Sequence, residues 1–302
     1  MFENIIGNDK IKETLKNTII NKNASHSYMF IGVEGIGKRL IAKEFAKRIL
    51  CNNEKIDCKE CKSCIEFESN NHPDFLLLEP DGNLIKIDQI RDMQKKIQEK
   101  PIVSKRKVYI INDADKMTKE AQNCLLKTLE EPPEYMTIIL VGSNESMFLP
   151  TIKSRCMIIH FEPLKNNEIK EYLQNEFGKD TLNLQDDMLD IFQGSIGKAI
   201  KLKDRGEEYQ AYNKMVNNLD KIDIIDLLTL AEPLYKAKEE IYEILEYINI
   251  LLLKNAKANF LYTNCISIVE NTKKRLKQNA NYDMCIDNML FNMWEEVNWK
   301  IS

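Results

Sequence analysis

The segment Gly32-Val33-Glu34-Gly35-Ile36-Gly37-Lys38-Arg39 lies between two apolar patterns of different period. A short apolar run at 28–31 precedes it, and apolar residues at mostly helical spacing follow it to about Leu50. Strand, glycine-rich loop, lysine and helix in this order predict a phosphate-binding loop, whose backbone N–H groups cradle phosphates. The residues expected to hold phosphate are Gly32, Gly35, Gly37 and Lys38.

The last residue of this loop departs from the pattern. The position after the lysine normally carries Ser or Thr, whose hydroxyl helps to hold Mg²⁺. Here that position is Arg39, and a guanidinium repels a metal ion instead of binding it. The sequence therefore predicts a loop that holds phosphate, or descends from one that did, without the metal that hydrolysis needs.

The composition limits the classes of protein that this chain can belong to. Its 302 residues leave room for about two or three domains. The formal net charge is −4, whereas a chain that binds DNA on its own is usually basic, so any nucleic acid is expected to be met within an assembly. The sequence shows neither a signal peptide nor the run of about 18 apolar residues of a membrane helix. We therefore expect a cytoplasmic protein with no membrane contact.

Strand-like and helix-like patterns alternate up to residue 161. Asp88 and Thr118 are predicted to cap the helices that follow them. Because buried strands that alternate with amphipathic helices form parallel sheets, we expect a parallel sheet with helices on both faces. From residue 164 onward the patterns are helical only, first to about residue 202 and then from 206 to 302. The expected strands are 28–31, 75–78, 84–87, 108–111, 137–141 and 157–161.

Four of the eight cysteines, Cys51, Cys58, Cys61 and Cys64, are separated by six, two and two residues. Two overlapping Cys-x₂-Cys turns bring three thiolates within reach of one ion, and Cys51 completes a tetrahedron. Four thiolates with no open position are typical of structural Zn²⁺ in a reducing compartment. The alternatives are four free cysteines or a redox pair. His72 could replace one ligand, although a solvated loop histidine is the plainer interpretation.

A second motif follows the strand at 108–111. In a working P-loop ATPase this strand ends in an acidic pair that holds Mg²⁺ and orients the attacking water. Here Asn112 is neutral, and Asp113 is one methylene shorter than Glu. Asp115 could compensate, although it lies two residues further on. Because Arg39 and Asn112 alter the same function, the sequence predicts loss of efficient hydrolysis; each change alone could be an ordinary polar substitution.

Several stretches resemble subunits of the bacterial DNA polymerase III clamp loader. Within that family the chain resembles the delta-prime subunits more than the ATP-hydrolysing gamma and tau subunits, because of Arg39 and Asn112. The resemblance covers residues 1–200, and the C-terminal third matches only in being helical and of the right length. The stretches that carry it are 26–32, 51–64, 111–117, 125–133 and 154–156.

The resemblance implies three domains and a place in DNA replication. An AAA+ P-loop module would span 1–162, with a zinc-binding insert at 51–64, followed by a helical lid at 163–204 and a helical collar at 205–302. The collar would join this chain to gamma/tau and delta subunits in a hetero-pentameric ring. That ring would open the sliding clamp and place it on primed DNA, so both would be met through the assembly.

The resemblance also implies roles for individual residues. Ser154, Arg155 and Cys156 match a Ser-Arg-Cys motif in which Arg155 would be an arginine finger, projected into the ATP site of a neighbouring subunit to stabilise developing charge. Asn144 matches the sensor 1 position, and Lys198 falls where sensor 2 usually has Arg. The plainer interpretations are a surface arginine in a salt bridge and a solvated helix lysine.

We therefore expect a non-hydrolysing clamp-loader subunit that contains structural Zn²⁺. This subunit would bind ATP or ADP weakly or not at all, and it would supply Arg155 to a neighbouring subunit. The rival expectation is an active AAA+ ATPase, either a gamma/tau-like motor or a stand-alone protein, that uses Asp113 or Asp115 for the metal. A third possibility is a zinc-dependent nucleic-acid binder, which no basic or aromatic face supports.

Overall fold

The computed structural model describes residues 1–53, 58–177, 189, 192–202, 206–238 and 240–298. The chain divides into two compact units. The first consists of Met1–Asp180 and Phe192–Ile200, and the second of Thr181–Ile191 and Lys201–Ser302.

A five-stranded parallel sheet, in the order β2-β3-β4-β1-β5, forms the centre of the first unit and confirms the predicted α/β class. Every residue of β1, β3 and β4 is buried, because helices cover both faces of these inner strands. The strands are β1 Ser27–Ile31, β2 Phe75–Leu78, β3 Lys107–Ile111, β4 Met136–Gly142 and β5 Met157–His160.

Two hydrophobic clusters, one on each face, pack the helices of this unit against the sheet. One contains Tyr28 and Phe45, whose rings meet edge to face with centroids 5.2 Å apart. The other contains Ile90 and Leu125. The helices are α1 Asp9–Ile20, α2 Lys38–Leu50, α3 Lys62–Glu68, α4 Ile87–Ile97, α5 Lys119–Glu130, α6 Pro150–Lys153, α7 Asn166–Phe177 and α8 Ile196–Leu202, of which α8 belongs to this unit as far as Ile200.

The strand predicted at 84–87 is wrong. Leu84 and Ile85 each form one isolated bridge, and α4 already begins at Ile87. Ile85 is fully buried because it packs in the core with α4 and α5, not because it pairs along a strand. Asp88 consequently lies in the first turn of α4 and is not its cap. The Thr118 cap is confirmed, since its hydroxyl accepts a hydrogen bond from the Ala121 N–H at 3.2 Å.

The second unit is helical throughout its described residues, as the sequence patterns predict. Its core includes the ring of Tyr209, which packs against the rings of both Tyr212 and Tyr247. Among the described helices of the whole chain, none combines the length and the hydropathy that a bilayer-spanning segment requires. The helices here are α9 Gly206–Asn217, α10 Ile224–Leu230, α11 Glu232–Lys236, α12 Ile241–Ala256, α13 Tyr262–Lys277 and α14 Tyr282–Asn298.

Candidate functional site

The glycine-rich loop connects β1 to α2 and borders a pocket of about 500 Å³ at the carboxyl edge of the sheet. Ligands of open parallel sheets bind at this edge, beyond the carboxyl ends of the strands. The pocket lies within the first unit. Its lining includes residues 34–40 together with Glu79, Asn112, Asp113, Ser143 and Tyr172.

Glycine is required at several points of the loop by its backbone geometry. Gly35 and Gly37 have φ values of +79° and +92°, which side-chain-bearing residues rarely adopt. A Cβ at Gly32 would stand 2.7 Å from the carbonyl oxygen of Phe161. The Gly197 N–H of α8 donates to the Gly35 carbonyl at 3.0 Å, so α8 rests directly on the loop.

Lys38 lies beneath the loop and not in open solvent. Its side-chain Nζ donates to the carbonyl oxygens of Gly32 and Val33, at 2.7 Å each, and the residue is only 6% exposed. Burial lowers the pKa of this ammonium, while the nearby carboxylates of Asp115, Glu34 and Asp113 oppose the shift. The lysine is therefore held among loop carbonyls by the same backbone that would cradle a phosphate.

Arg39 forms an ion pair that the sequence analysis missed. Its Nη1 lies 2.8 Å from Oε1 of Glu79, and the two side chains are 43% and 45% exposed. Glu79 directly follows β2, so its position after a predicted buried strand was the signal that could have found it. Arg39 occupies the position where a P-loop normally has a hydroxyl. Its guanidinium and the carboxylate of Glu79 therefore both lie in the wall of the pocket.

The acidic residues after β3 already have partners. Oδ2 of Asp113 accepts from Nζ of Lys116 at 3.1 Å. Oδ2 of Asp115 accepts from the backbone N–H groups of Ser143 and Asn144, at 3.2 and 3.1 Å, and so ties this turn to the end of β4. Asn112 lines the pocket but carries no charge.

The two predicted sensor residues direct their side chains to local partners. Oδ1 of Asn144 accepts from the Ser146 N–H at 3.0 Å and caps a short 3₁₀ turn, while its neighbour Ser143 lines the pocket. Nζ of Lys198 donates to Oε1 of Gln193 at 3.1 Å. The part of α8 that lines the pocket is apolar or small, and it consists of Ile196, Gly197 and Ile200.

The structure brings the four predicted cysteine ligands together between the end of α2 and the start of α3. Their sulfur atoms all lie within 4.8 Å of one another, and Sγ of Cys51 is 3.8 Å from Sγ of Cys61. A tetrahedron with Zn–S bonds of about 2.3 Å has sulfur–sulfur edges of about 3.8 Å. The set therefore fits one zinc ion. Residues 54–57, which complete the predicted insert, lie outside the described residues.

Backbone donors near the cluster favour thiolate at some positions and burial opposes it at others. The N–H groups of Cys61 and Glu60 lower the pKa of Cys58 to about 6. Burial is the main reason that the pKa values of Cys51 and Cys64 are raised. Such thiols lose their protons together when a cation supplies the compensating charge.

His72 is not the solvated loop residue that the sequence analysis expected. It is 5% exposed, and its Nε2 lies 3.0 Å from Oγ of Ser63 and 3.1 Å from Oγ of Ser104. Its Nδ1 accepts from the Asp74 N–H at 3.0 Å. Both ring nitrogens therefore belong to a buried polar network. Ser63 and Ser104 lie far apart in the sequence, and the fold brings both of them to His72.

The Ser-Arg-Cys segment lies between α6 and β5, and Arg155 is paired within its own chain. Its Nη2 is 2.7 Å from Oε1 of Glu130, and its Nη1 donates to the Thr151 carbonyl at 2.9 Å and to Ser154 Oγ at 3.2 Å. The arginine side chain is one-third exposed. Cys156 packs against the core, and burial raises the pKa of its thiol to about 12.

Comparisons with known proteins extend these observations. The sequence model of the family described as "DNA polymerase III, delta subunit" matches residues 7–165. The delta' subunit of DNA polymerase III from Bacillus subtilis (strain 168) is 38% identical over 165 residues, which are 54% of this chain and 50% of that protein. The tau/gamma subunit from Haemophilus influenzae is 30% identical over 227 residues, which are 72% of this chain and 33% of that protein.

The matches therefore span between a third and a half of the length of these two curated relatives. A solved structure, that of a DNA polymerase III gamma-subunit-related protein from Thermotoga maritima, has a similar fold with a TM-score of 0.53 at 21% identity. The superposition covers 95% of this chain and 99% of the Thermotoga maritima chain. Together with the phosphate loop and the parallel sheet, the family match shows that this chain belongs to the DNA polymerase III delta-subunit family and is delta-prime-like.

Proposed function

We propose that this chain is a clamp-loader subunit that does not hydrolyse ATP and that supplies Arg155 to the ATP site of a neighbouring subunit. The observation that carries the proposal is the ion pair between Arg39 and Glu79, at 2.8 Å. It occupies the side of the phosphate loop where a hydroxyl would help to hold Mg²⁺. A cation fixed to the chain at this place opposes the metal on which phosphoryl transfer depends.

The partners of the nearby carboxylates argue against the rival, an active ATPase. Glu79 is paired with Arg39, Asp113 with Lys116, and Asp115 with two backbone N–H groups. Asn112 supplies no charge. The positive charges of Arg39 and Lys116 offset those of Glu79 and Asp113, which weakens the attraction of these two carboxylates for Mg²⁺.

The exposure of the Arg155 ion pair supports a role for this arginine outside its own chain. Its pair with Glu130 is at the surface, with side chains 33% and 48% exposed. Such exposed pairs contribute only about 0–1 kcal/mol, so phosphate oxygens of a neighbour can replace Glu130 at little cost. A guanidinium also forms two parallel hydrogen bonds with phosphate, which a lysine cannot do.

The four cysteines are proposed to hold one structural Zn²⁺. With four protein ligands the ion would have no open position, so it would brace the insert at 51–64 and supply no chemistry. We also propose that residues 1–162, 163–204 and 205–302 correspond to the AAA+ module, the lid and the collar. The partners proposed by family resemblance are gamma/tau and delta subunits in the ring, with the sliding clamp and primed DNA bound by the assembly.

The test is ATP hydrolysis by a complex reconstituted with gamma/tau and delta subunits, in which this chain carries Arg155→Ala. Loss of an arginine finger should slow hydrolysis about tenfold or more. Arg91→Ala is the matched control, because Arg91 is also an exposed arginine in an ion pair, with Asp88 at 3.2 Å. Equal rates for the Arg155→Ala and wild-type complexes would refute the proposed role of Arg155.

A further inference from the structure

Two positively charged side chains, Lys38 and Arg39, line the pocket beside the phosphate loop. Arg39 and Glu79 both line it, together with Gly35, Gly37 and Lys38. In an ordinary phosphate loop, the charge of a nucleotide is balanced by the lysine and by Mg²⁺. Here a guanidinium stands on the metal side of the loop, at the second residue of α2.

We propose that this pocket binds a nucleoside di- or triphosphate without a divalent cation, and that Arg39 takes the place of the metal. Glu79 holds the guanidinium in the pocket wall until phosphate oxygens replace the carboxylate. The inference rests on the proposed function, since it concerns a site that holds nucleotide but does not hydrolyse it.

The exchange of partners at Arg39 is chemically reasonable. Guanidinium groups bind phosphate oxygens through two parallel hydrogen bonds, as they bind carboxylates. The Arg39–Glu79 pair is nearly half exposed on both sides, so water can solvate Glu79 once it is released. Lys38, which already donates to two loop carbonyls, supplies the second positive charge from beneath the loop.

Magnesium is expected to have the opposite effect from its effect in an ordinary P-loop protein. A divalent cation on the phosphates would stand a few ångströms from the Arg39 guanidinium, and even in the dielectric of water this repulsion lowers affinity by about tenfold. The opposing possibility is that Glu79, once released from Arg39, attracts Mg²⁺. Weaker nucleotide binding in Mg²⁺ would indicate repulsion by Arg39, and tighter binding would indicate attraction by Glu79.

The experiment is calorimetric titration of the full chain with ADP and with ATP, without added divalent cations and again in excess Mg²⁺. The metal-free buffer should be prepared with chelating resin before the protein is added, because a soluble chelator would compete for ions at the cysteine cluster. Wild-type protein should bind in the metal-free buffer, and Mg²⁺ should weaken that binding about tenfold.

Two variants and one control sharpen the result. Arg39→Thr should lose about tenfold or more of the metal-free affinity and bind more tightly when Mg²⁺ is added. Glu79→Gln removes the competing carboxylate and should bind metal-free nucleotide more tightly than wild type. Arg91→Thr changes another exposed, paired arginine, which lies on α4, and this variant should behave as wild type.

Tighter binding of wild type in Mg²⁺, or no magnesium effect, would overturn the inference. Absence of nucleotide binding in the metal-free buffer would overturn it too. That last result would leave the role of Arg155 intact, because the reconstituted complex tests it independently. If Arg39→Thr does not fold, the wild-type magnesium effect and Glu79→Gln still decide the outcome.

Discussion

Single residues set the shape of the phosphate loop through the backbone. Gly35 and Gly197 touch each other, and the Gly197 N–H donates to the Gly35 carbonyl at 3.0 Å. A Cβ added at Gly197 would stand 2.9 Å from the Cα of Gly35, closer than real Cβ contacts allow. Because the opposing atom is backbone, no side chain can move aside to relieve the clash.

Gly197→Ala should therefore destabilise the chain and displace the loop. Overpacking of this kind costs about 1–3 kcal/mol, to be measured as the free energy of unfolding in urea. Lys201→Ala, at an exposed position of the same helix, should change it by less than about 0.5 kcal/mol. A Gly197→Ala protein as stable as wild type would show that the contact between the two glycines is not tight.

The sequence could reveal altered residues more readily than their partners. The motif spacing marked Arg39 and Asn112 as departures, since each occupies a position with a known requirement. It could not reveal that Arg39 pairs with Glu79 or Arg155 with Glu130, because these contacts depend on where the ends of strands and helices meet. His72 was misjudged for the same reason, since its partners come from other segments.

At the scale of elements, the cysteine cluster joins the end of α2 to the start of α3. A second set of contacts acts beside it: Ser63 Oγ donates to the Leu50 carbonyl at 2.8 Å, and the Arg48 guanidinium donates to the Cys58 carbonyl at 3.0 Å. The sheet is packed by the separate clusters on its two faces. Loss of metal should thus loosen the insert and leave the sheet folded.

Cys58→Ser should release the proposed zinc, because a neutral hydroxyl is a far poorer ligand than thiolate. Elemental analysis should give about one Zn²⁺ per wild-type chain and much less for the variant. Hydrogen exchange should become faster in 58–68 but not in β3 or β4. Cys124→Ser, a half-buried cysteine outside the cluster, should keep its zinc. Metal-free wild-type protein would contradict the assignment.

Periodicity predicted the parallel strands well because they are buried on both faces and read as continuous apolar runs. It failed at 84–87, where Ile85 is buried by packing against helices and forms only one bridge, with Met117. An apolar run this short does not distinguish a strand from a loop that crosses a core.

At the scale of the whole molecule, only the first of the two units contains residues that the family model matches. The family match ends at residue 165, within the first unit, which holds the pocket, the cysteine cluster and Arg155. Helical periodicity predicted that the second unit is all-helical, because the spacing of apolar residues indicates which helix faces are buried. Periodicity does not encode a partner, so the collar role proposed for this unit depends on family resemblance.

The central claim, that this chain is not a motor, is tested most directly by ATP hydrolysis by the purified chain alone in Mg²⁺. Lys38→Ala is the control, since any hydrolysis at this loop needs the lysine. We predict no rate above that of Lys38→Ala. A clear rate that disappears in Lys38→Ala would show that Asp113 or Asp115 serves the metal despite Arg39, and the chain would then be an active ATPase.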